Sequence, residues 1–359
     1  MGKQTLSSAP PNALLRYAVI AGAVGGLGIL FLAVSGGVGQ SSVTAQDFVN
    51  LQESGNPHLG FRRAHAKGFC IAGEFVSNGS LQPYSTAPQF AATSTPFVGR
   101  ISIAGGNPTA PDLNAPVRSL ALSFGKGSSR WLTAMNTPPV MAVGTPEAFY
   151  QQIQALSPDP ETGERNPERI SAFFAAHPET QTFRNWQAGY TPTASFASEI
   201  YHSINAFYLI NENSERQAVR WAAMPTVSSS NALDTENANA LQDEFLARVE
   251  DQPVAFDLTF TFANDSDDET NPTVLWPSDR RNMIAGQIVV HQAMSESEGN
   301  CNEINFDPLV LPKGMAATAD PILRARSAAY AESYRRRARE HFLNNSLQPS
   351  AQKESENNQ

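Results

Sequence analysis

The stretch that constrains the fold of this chain most is DPILRARSAAYAESYRRRAREHF, residues 320–342. Asp320 is a suitable N-cap and Pro321 suits the first helical position, so the stretch predicts a helix. The second half of this helix is strongly basic. A basic run of this kind usually forms a solvated face, unless an anionic group binds to it.

Three residues of the predicted helix share one face, because Arg326, Tyr330 and Arg337 follow one another at intervals of four and seven residues. A tyrosine can ligate ferric iron as phenolate, and a guanidinium one turn away favours this charged form. The second arginine could pair with a carboxylate of a bound ligand. A solvated basic helix with the tyrosine at its edge is the alternative, and the helix alone leaves both open.

A second informative stretch is RRAHAKGFC, residues 62–70, in which basic residues surround His65. An imidazole both accepts and donates a proton near neutral pH, which suits a catalytic acid–base. The stretch by itself is also compatible with a metal ligand, or with an ordinary polar histidine in a basic turn.

The N-terminus has the composition of an export segment. Residues 17–34 are apolar and uncharged, which just reaches the length of a membrane-spanning helix. Lys3 and Arg16 precede this run and predict that the rest of the chain crosses the membrane. An uncleaved anchor over residues 1–45 is favoured, because the run is longer than a usual signal-peptide core. A signal peptide cleaved after Val43-Thr44-Ala45 and a glycine-rich buried helix are the alternatives.

The only two cysteines, Cys70 and Cys301, would meet an oxidising environment after export. That environment is the periplasmic face of the inner membrane, or the periplasm or exterior if the segment is cleaved. One long-range disulfide is then plausible, and two buried free thiols are the alternative. No CxxC motif supports a zinc ribbon or a thioredoxin-like site, and the missing CxxCH excludes c-type haem attachment.

Apolar and polar residues alternate in eight segments, which is typical of strands. The segments are FCIAGEFV (69–76), FVGRISIA (97–104), VRSLALSF (117–124), RWLTAM (130–135), INAFYLIN (204–211), AVRWAAM (218–224), VAFDLTFTF (254–262) and GQIVVHQA (286–293). Helical signals lie between them at 145–156, 166–178 and 231–250. This order predicts an α+β domain around an antiparallel sheet or barrel, with a polar lead-in at 41–60 and a disordered polar tail at 344–359.

Two motifs, taken together, resemble the monofunctional haem catalases. RRAHAKG (62–68) is similar to R-x-x-H-A-[KR]-G around the family's distal histidine, and RSAAY (326–330) is similar to R-x-x-x-Y on its proximal helix. Further segments follow in the family's order: VGRISIAGG (98–106) resembles V-R-F-S, RSLALSFGKGSSRWLTAMNTPPV (118–140) resembles R-G-F-A-x-K-F…L-V-x-N-N-T-P, and 205–211, 274–290 and 301–323 resemble later segments. The resemblance spans roughly residues 58–340 and is closest to the short, exported catalase-related haem peroxidases.

The resemblance implies a catalase-like antiparallel eight-stranded β-barrel with surrounding helices over residues 46–343. One N-terminal hydrophobic helix would precede this domain. Haem b (iron protoporphyrin IX) would be bound between barrel and helices.

On the distal side, the resemblance implies that His65 moves a proton between the two oxygens of hydrogen peroxide and so helps to split the O–O bond. Ser102 matches the serine that hydrogen-bonds this histidine and fixes its tautomer. Asn136 is the candidate for the asparagine that orients the peroxide. An alignment from the N-T-P motif would place Met135 there instead, so the register is open by one residue.

On the proximal side, Tyr330 matches the iron ligand, and Arg326 matches the arginine that keeps it anionic; tyrosine ligation of haem iron is known from catalase itself. The remaining cofactor-binding candidates are three arginines for the propionates and one aromatic residue near the haem: Arg62, Arg100, Arg337 and Phe149.

The function implied by the resemblance is reduction of hydrogen peroxide with a small organic electron donor. The family's paired phenylalanines after N-T-P are Met141 and Ala142 here, and the missing N-terminal arm should leave the haem more accessible. True catalase disproportionation and non-catalytic haem binding are the alternatives. A formal net charge of −9 argues against a nucleic-acid partner.

Overall fold

A computed structural model of the protein describes residues 43–53, 57–91, 93–159, 161–228 and 233–347. The strands in these ranges are β1 (Gly68–Ser77), β2 (Ser94–Ile103), β3 (Arg118–Phe124), β4 (Trp131–Asn136), β5 (Tyr201–His202), β6 (Phe207–Ile210), β7 (Arg216–Pro225), β8 (Val254–Phe262), β9 (Asn282–Met294) and β10 (Met315–Ala317). The α-helices are α1 (Ala45–Glu53), α2 (Pro146–Leu156), α3 (Pro167–Ala176), α4 (Gln181–Gly189), α5 (Ala240–Asp251) and α6 (Pro321–Leu347).

Eight of the strands form a closed antiparallel barrel. They pair in the order β1-β2-β3-β4-β5-β7-β8-β9, and β9 pairs with β1 again. Closure removes the free edges that an open sheet would expose. β6 and β10 extend from β7 as a short side arm. The predicted antiparallel eight-stranded barrel with surrounding helices is therefore confirmed.

Large side chains fill the interior of the barrel. Every second residue of β8 is buried, including Phe256, Leu258 and Phe260, as the period of a strand requires. Trp131 and Trp221 meet edge to face inside it, with ring centroids 5.4 Å apart. Because the interior is packed, a ligand of cofactor size has to bind outside the barrel, between its wall and the helices.

One predicted strand occupies a different place in the topology. INAFYLIN (204–211) does contain β6, but β6 lies in the side arm. The barrel position between β4 and β7 is taken by the two-residue β5, through the pairs Asn136–His202 and His202–Ala222. Two residues are too few to produce an alternating pattern, so the sequence did not reveal this strand.

Three predicted element boundaries were wrong. Part of the lead-in at 41–60 forms helix α1. Helix α5 begins at Ala240 instead of 231. The Asp112 carboxylate, which lies in a distant loop, accepts from the backbone amides of Leu241 and Gln242 and so caps the start of this helix. Helix α6 continues to Leu347, so residues 344–347 are helical and not part of a disordered tail.

The predicted anchor over residues 1–45 lies almost entirely outside the described ranges, which begin at residue 43. Among the residues that are described, no helix is both long and apolar enough to cross a membrane. Residues 348–359 of the predicted tail are also outside the description.

Candidate active site

A cavity of about 390 Å³ lies against the outer wall of β2, β3 and β4 and is lined by one face of α6. Its volume is in the range of small-molecule and cofactor sites. All nine residues that the sequence predicted for the site line this one cavity: Arg62, His65, Arg100, Ser102, Asn136, Phe149, Arg326, Tyr330 and Arg337. The structure thus brings together the two distant motifs on which the prediction rested.

The loop that carries His65 has an unusual backbone. His65 has a φ of +58°, in the left-handed region that residues other than glycine seldom adopt. The Ala66 amide donates to the Gly105 carbonyl and holds the loop against the end of β2. Gly68 permits the close approach that follows, because a Cβ there would lie 2.4 Å from the Ile101 carbonyl oxygen. Such strain is typical of functional positions.

The surroundings of the His65 imidazole favour its neutral form. Burial, followed by the positive charges of Arg100, Arg326 and Arg62, lowers its pKa from 6.5 to about 4, while a hydrogen bond with the Ile103 backbone acts in the opposite direction. At neutral pH the ring therefore carries no charge. A neutral imidazole can accept a proton, which is the first requirement for a general base.

A row of polar side chains crosses the barrel wall beside His65. Ser102 on β2 is paired with Ser119 on β3, and Ser119 is paired with Asn136 on β4. Residues that face each other across neighbouring strands project to the same side of a sheet, so all three side chains reach the cavity.

The partner of His65 in this row is Ser119 and not Ser102. Ser119 Oγ lies 3.2 Å from His65 Nδ1 and also donates to Asn136 Oδ1. Ser102, for which the sequence predicted this contact, lies opposite Ser119 on the neighbouring strand. That strand pairing cannot be read from the R-S-L-A pattern. Ser102 remains a residue of the cavity wall.

The structure also places Asn136 in the row. Asn136 is the last residue of β4, and its side chain accepts from Ser119. Met135 also lines the cavity, but it pairs with Leu120, it is fully buried, and its side chain belongs to the hydrophobic core. The alignment that put Asn136 opposite the histidine is therefore the one that agrees with the geometry.

On the opposite side of the cavity, helix α6 presents Tyr330 next to Arg326. Arg326 Nη2 lies 3.3 Å from Tyr330 Oη and also donates to the Ala134 carbonyl at 2.8 Å. Arg326 Nη1 donates to Asn205, which in turn donates to Asp320 at the start of the helix. The guanidinium is thus held by β4 and by the helix cap in a position where it can stabilise a phenolate.

Three arginines converge at one end of the cavity: Arg100 and Arg337 are buried, and Arg62 is partly buried. The pKa of Arg62 lies well below its usual value because of burial and then the positive charges of Arg100 and Arg337. The pKa of Arg337 falls to about 10 because of burial and then Arg100. Glu296 accepts from Arg100 Nε at 2.6 Å and offsets part of this charge. A cluster of this kind favours an anionic ligand.

The Arg62 side chain supplies direct support for such a ligand. Its Nη2 donates to the carbonyls of Cys301 and Ile304, both at 3.1 Å. Its Nε is buried and has no hydrogen-bond partner among the described residues. A buried donor without a partner is costly, and a carboxylate of a bound group would satisfy it.

The loop behind these arginines is fixed by a disulfide. Cys70 on β1 is bonded to Cys301, with their Cα atoms 5.4 Å apart. Cys301 accepts from Arg62 through its carbonyl, and the adjacent Asn302 carbonyl accepts from Arg337 at 3.0 Å. The pairing of the two cysteines, which the sequence left open, therefore holds the backbone on which two of the arginines rest.

The remaining basic residues of RRAHAKGFC have structural roles. Arg63 is buried and pairs with Glu53 of α1 and Glu340 of α6, so it joins the two helices. Lys67 Nζ donates to the carbonyls of Ala110 and Ala238. The sequence gave no signal for either contact, because both partners are far away along the chain.

Helix α1 forms a wall of the cavity that the sequence did not predict. Phe48 lines the cavity and packs on Phe149, with ring centroids 5.7 Å apart. Gln52 adds a polar group to the same wall. Phe149 is thus an aromatic residue of the cavity wall.

The residues of the cavity fit a haem group. A phenol held beside a guanidinium can serve as an iron ligand, and the arginine cluster with its unsatisfied Nε suits two propionates. Most of the remaining lining is apolar, including Ala121, Ala134 and Val140, which suits a porphyrin face.

The comparison with known proteins agrees with this geometry. The Catalase family model matches residues 50–348, which include both motifs and all nine residues predicted for the site.

The chain belongs to the catalase family.

Two curated members of the family have the same name. The catalase-related peroxidase of Synechococcus elongatus is 39% identical over 287 residues, 79% of this chain and 85% of the relative. The catalase-related peroxidase of Mycolicibacterium paratuberculosis is 28% identical over 297 residues, 80% of this chain and 92% of the relative.

Solved catalases share the fold at lower identity. Catalase A from Saccharomyces cerevisiae has a TM-score of 0.71 at 18% identity, over 80% of this chain and 63% of that one. A bacterial catalase gives a TM-score of 0.69 at 20% identity, over 80% of this chain and 59% of that one. This chain of the catalase family therefore spans roughly three fifths of the length of these catalases.

Proposed function

We propose that the protein is a haem-dependent peroxidase, which reduces hydrogen peroxide with a small organic electron donor. Membership of the catalase family and the two catalase-related peroxidases support an oxidoreductase that acts on hydrogen peroxide. The observation that carries the proposal is one cavity with a neutral His65 on one wall and the Arg326–Tyr330 pair on the other.

The cofactor proposed is haem b. Tyr330 would ligate its iron, with Arg326 stabilising the phenolate, and Arg62, Arg100 and Arg337 would bind its propionates. When bound, haem supplies the electrons that reduce the O–O bond of peroxide.

His65 performs the proton chemistry of the proposed reaction. The neutral ring accepts the proton of one peroxide oxygen and delivers it to the other, so that the departing oxygen leaves as water. Asn136 offers its amide group beside the same space and orients the peroxide.

The choice of a peroxidase over a true catalase rests on the cavity wall. Met141 and Ala142 line the cavity at the positions where the family motif has phenylalanines. Smaller and more flexible side chains leave room for an organic reductant. A true catalase remains the second candidate, and oxygen evolution measured beside oxidation of a dye donor separates the two. A larger catalase than peroxidase turnover would contradict the proposal.

Two variants test the site itself. The purified protein should have the absorption spectrum of a high-spin ferric haem, and Tyr330→Phe should lose or change it. His65→Ala should keep the haem and lose turnover of peroxide. If His65→Ala retained turnover of peroxide, the acid–base role would be wrong. If the wild type itself showed no turnover, a haem carrier on the same fold would be favoured.

We also propose that the protein acts outside the cytoplasm, by the N-terminal anchor or after its cleavage. The Cys70–Cys301 disulfide supports an oxidising compartment. Separation of cytoplasmic, membrane and periplasmic fractions tests this, and recovery of the protein in the cytoplasmic fraction would contradict it.

A further inference from the structure

One hydroxyl group touches both predicted distal residues. Ser119 Oγ donates its hydrogen bond to Asn136 Oδ1 and lies 3.2 Å from His65 Nδ1. A serine hydroxyl has one proton and two acceptor lone pairs. Since the proton is engaged by Asn136, Ser119 can only accept from His65, and Nδ1 must then carry the ring proton.

The consequence for His65 concerns its other nitrogen. The ring is neutral at ordinary pH, so it carries one proton, and the contact with Ser119 assigns that proton to Nδ1. Nε2 is left with a free lone pair, which is the form that a general base needs. The charged groups nearest the ring, Arg62, Arg100 and Arg326, disfavour a second proton but do not select between the nitrogens. The Ile103 backbone, which also interacts with the ring, acts in the opposite direction and favours protonation.

The consequence for Asn136 is the orientation of its amide. With Oδ1 engaged by Ser119, the Nδ2 group is the part of the side chain left to donate to a ligand. In the R-G-F-A-x-K-F motif the residue at this position is glycine, which has no hydroxyl to offer. Ser119 is therefore a feature of this chain that the motif does not explain.

We propose that Ser119 is a positioning residue that sets the tautomer of His65 and the amide orientation of Asn136 through one hydroxyl. The proposal rests on the proposed function, because it assigns the state in which His65 meets peroxide. In this role Ser119 acts through its two partners, His65 and Asn136.

The experiment compares Ser119→Ala with Ser119→Thr, which retains the hydroxyl, and with Ser102→Ala in the paired position. All are used as haem-loaded protein, with haem content measured first. Cyanide enters as HCN and must give its proton to a base, so its association rate reports on Nε2 without any turnover. Ser119→Ala should lower this rate by roughly 10- to 100-fold, the effect typical of removing a partner that orients an imidazole. Ser119→Thr should restore most of it.

The tautomer is read directly from the wild-type protein loaded with diamagnetic zinc protoporphyrin and labelled with [15N]histidine. The proposal predicts a protonated Nδ1 in the wild type and in Ser102→Ala, and a mixture of tautomers in Ser119→Ala. A protonated Nε2 in the wild type overturns it, even if Ser119→Ala does not fold. Equal loss of cyanide association in Ser102→Ala returns the role to Ser102. If the wild-type protein had the expected tautomer but no peroxide turnover, the proposed function would be refuted and the role of Ser119 as a positioning residue would stand.

Discussion

Removal of the Cys70–Cys301 disulfide should weaken both the fold and the haem site. The two cysteines are 231 residues apart, and closing so long a loop contributes about 5 kcal/mol to the free energy of unfolding in the chain-entropy model. Denaturant unfolding of a Cys70→Ser/Cys301→Ser variant should therefore give a free energy of unfolding lower by up to about 5 kcal/mol. The barrel core is extensive, so the variant should still fold.

The effect on haem follows from the loop that contains Cys301. The Cys301 carbonyl accepts from Arg62 and the Asn302 carbonyl accepts from Arg337, while Cys70 is paired with Arg100 across the strands. A hydrogen bond from a charged donor contributes about 1.5–3 kcal/mol, so loss of one should speed haem release by one to two orders of magnitude. Transfer of haem to excess apomyoglobin, followed by absorbance, measures this rate.

The chain provides its own control for this experiment. It has only two cysteines, so a reductant can act on no other disulfide in the protein. Reductant should speed haem release from the wild type and leave the double variant unchanged. The same release rate for oxidised and reduced wild type would refute the link between disulfide and arginines, even if the unfolding free energy fell as expected.

Three further predictions concern pH, packing and selectivity. His65 and His202 both have pKa values lowered to about 4, so below pH 6.5 the unfolded state binds protons that the folded state does not. The free energy of unfolding should therefore fall as the pH falls, by about 2 kcal/mol for each histidine at pH 5. In calorimetry, His202→Gln should show a weaker dependence of the unfolding free energy on pH. Gly68→Ala should cost roughly 1–3 kcal/mol and lower haem content, because the new Cβ would lie 2.6 Å from Cζ of Arg100; unchanged haem absorbance would refute this. Met141→Phe should narrow the cavity and slow oxidation of a bulky dye donor more than oxygen evolution, and an equal effect on both would contradict the proposed access route.

The sequence predicted the barrel because its alternating segments are long enough to show their period. β8 was predicted with both of its ends correct, whereas the two-residue β5 left no pattern. Helix α5 was predicted too long, because its start is fixed by Asp112, which is remote in sequence. Local patterns therefore identified the elements, and tertiary contacts decided where some of them begin.

The residues of the site were predicted through motifs, and their pairing was not. Arg326 and Tyr330 are four residues apart on one helix, so their contact follows from helical geometry. The contact of His65 with Ser119 depends on which strands are neighbours and in which register. Helix α1 likewise reaches the cavity only through Phe48 and Gln52, whose place beside the site no local pattern indicates.

The left-handed backbone at His65 affects how this position should be probed by substitution. Such a conformation costs most residues about 1–3 kcal/mol, but asparagine adopts it more readily than alanine does. His65→Asn therefore removes the imidazole and largely preserves the loop, while His65→Ala removes the imidazole and strains the loop. The difference in unfolding free energy between these two variants measures the cost of the left-handed backbone separately from the loss of the imidazole. A mutational scan of position 65 that measures only activity would not separate these two effects.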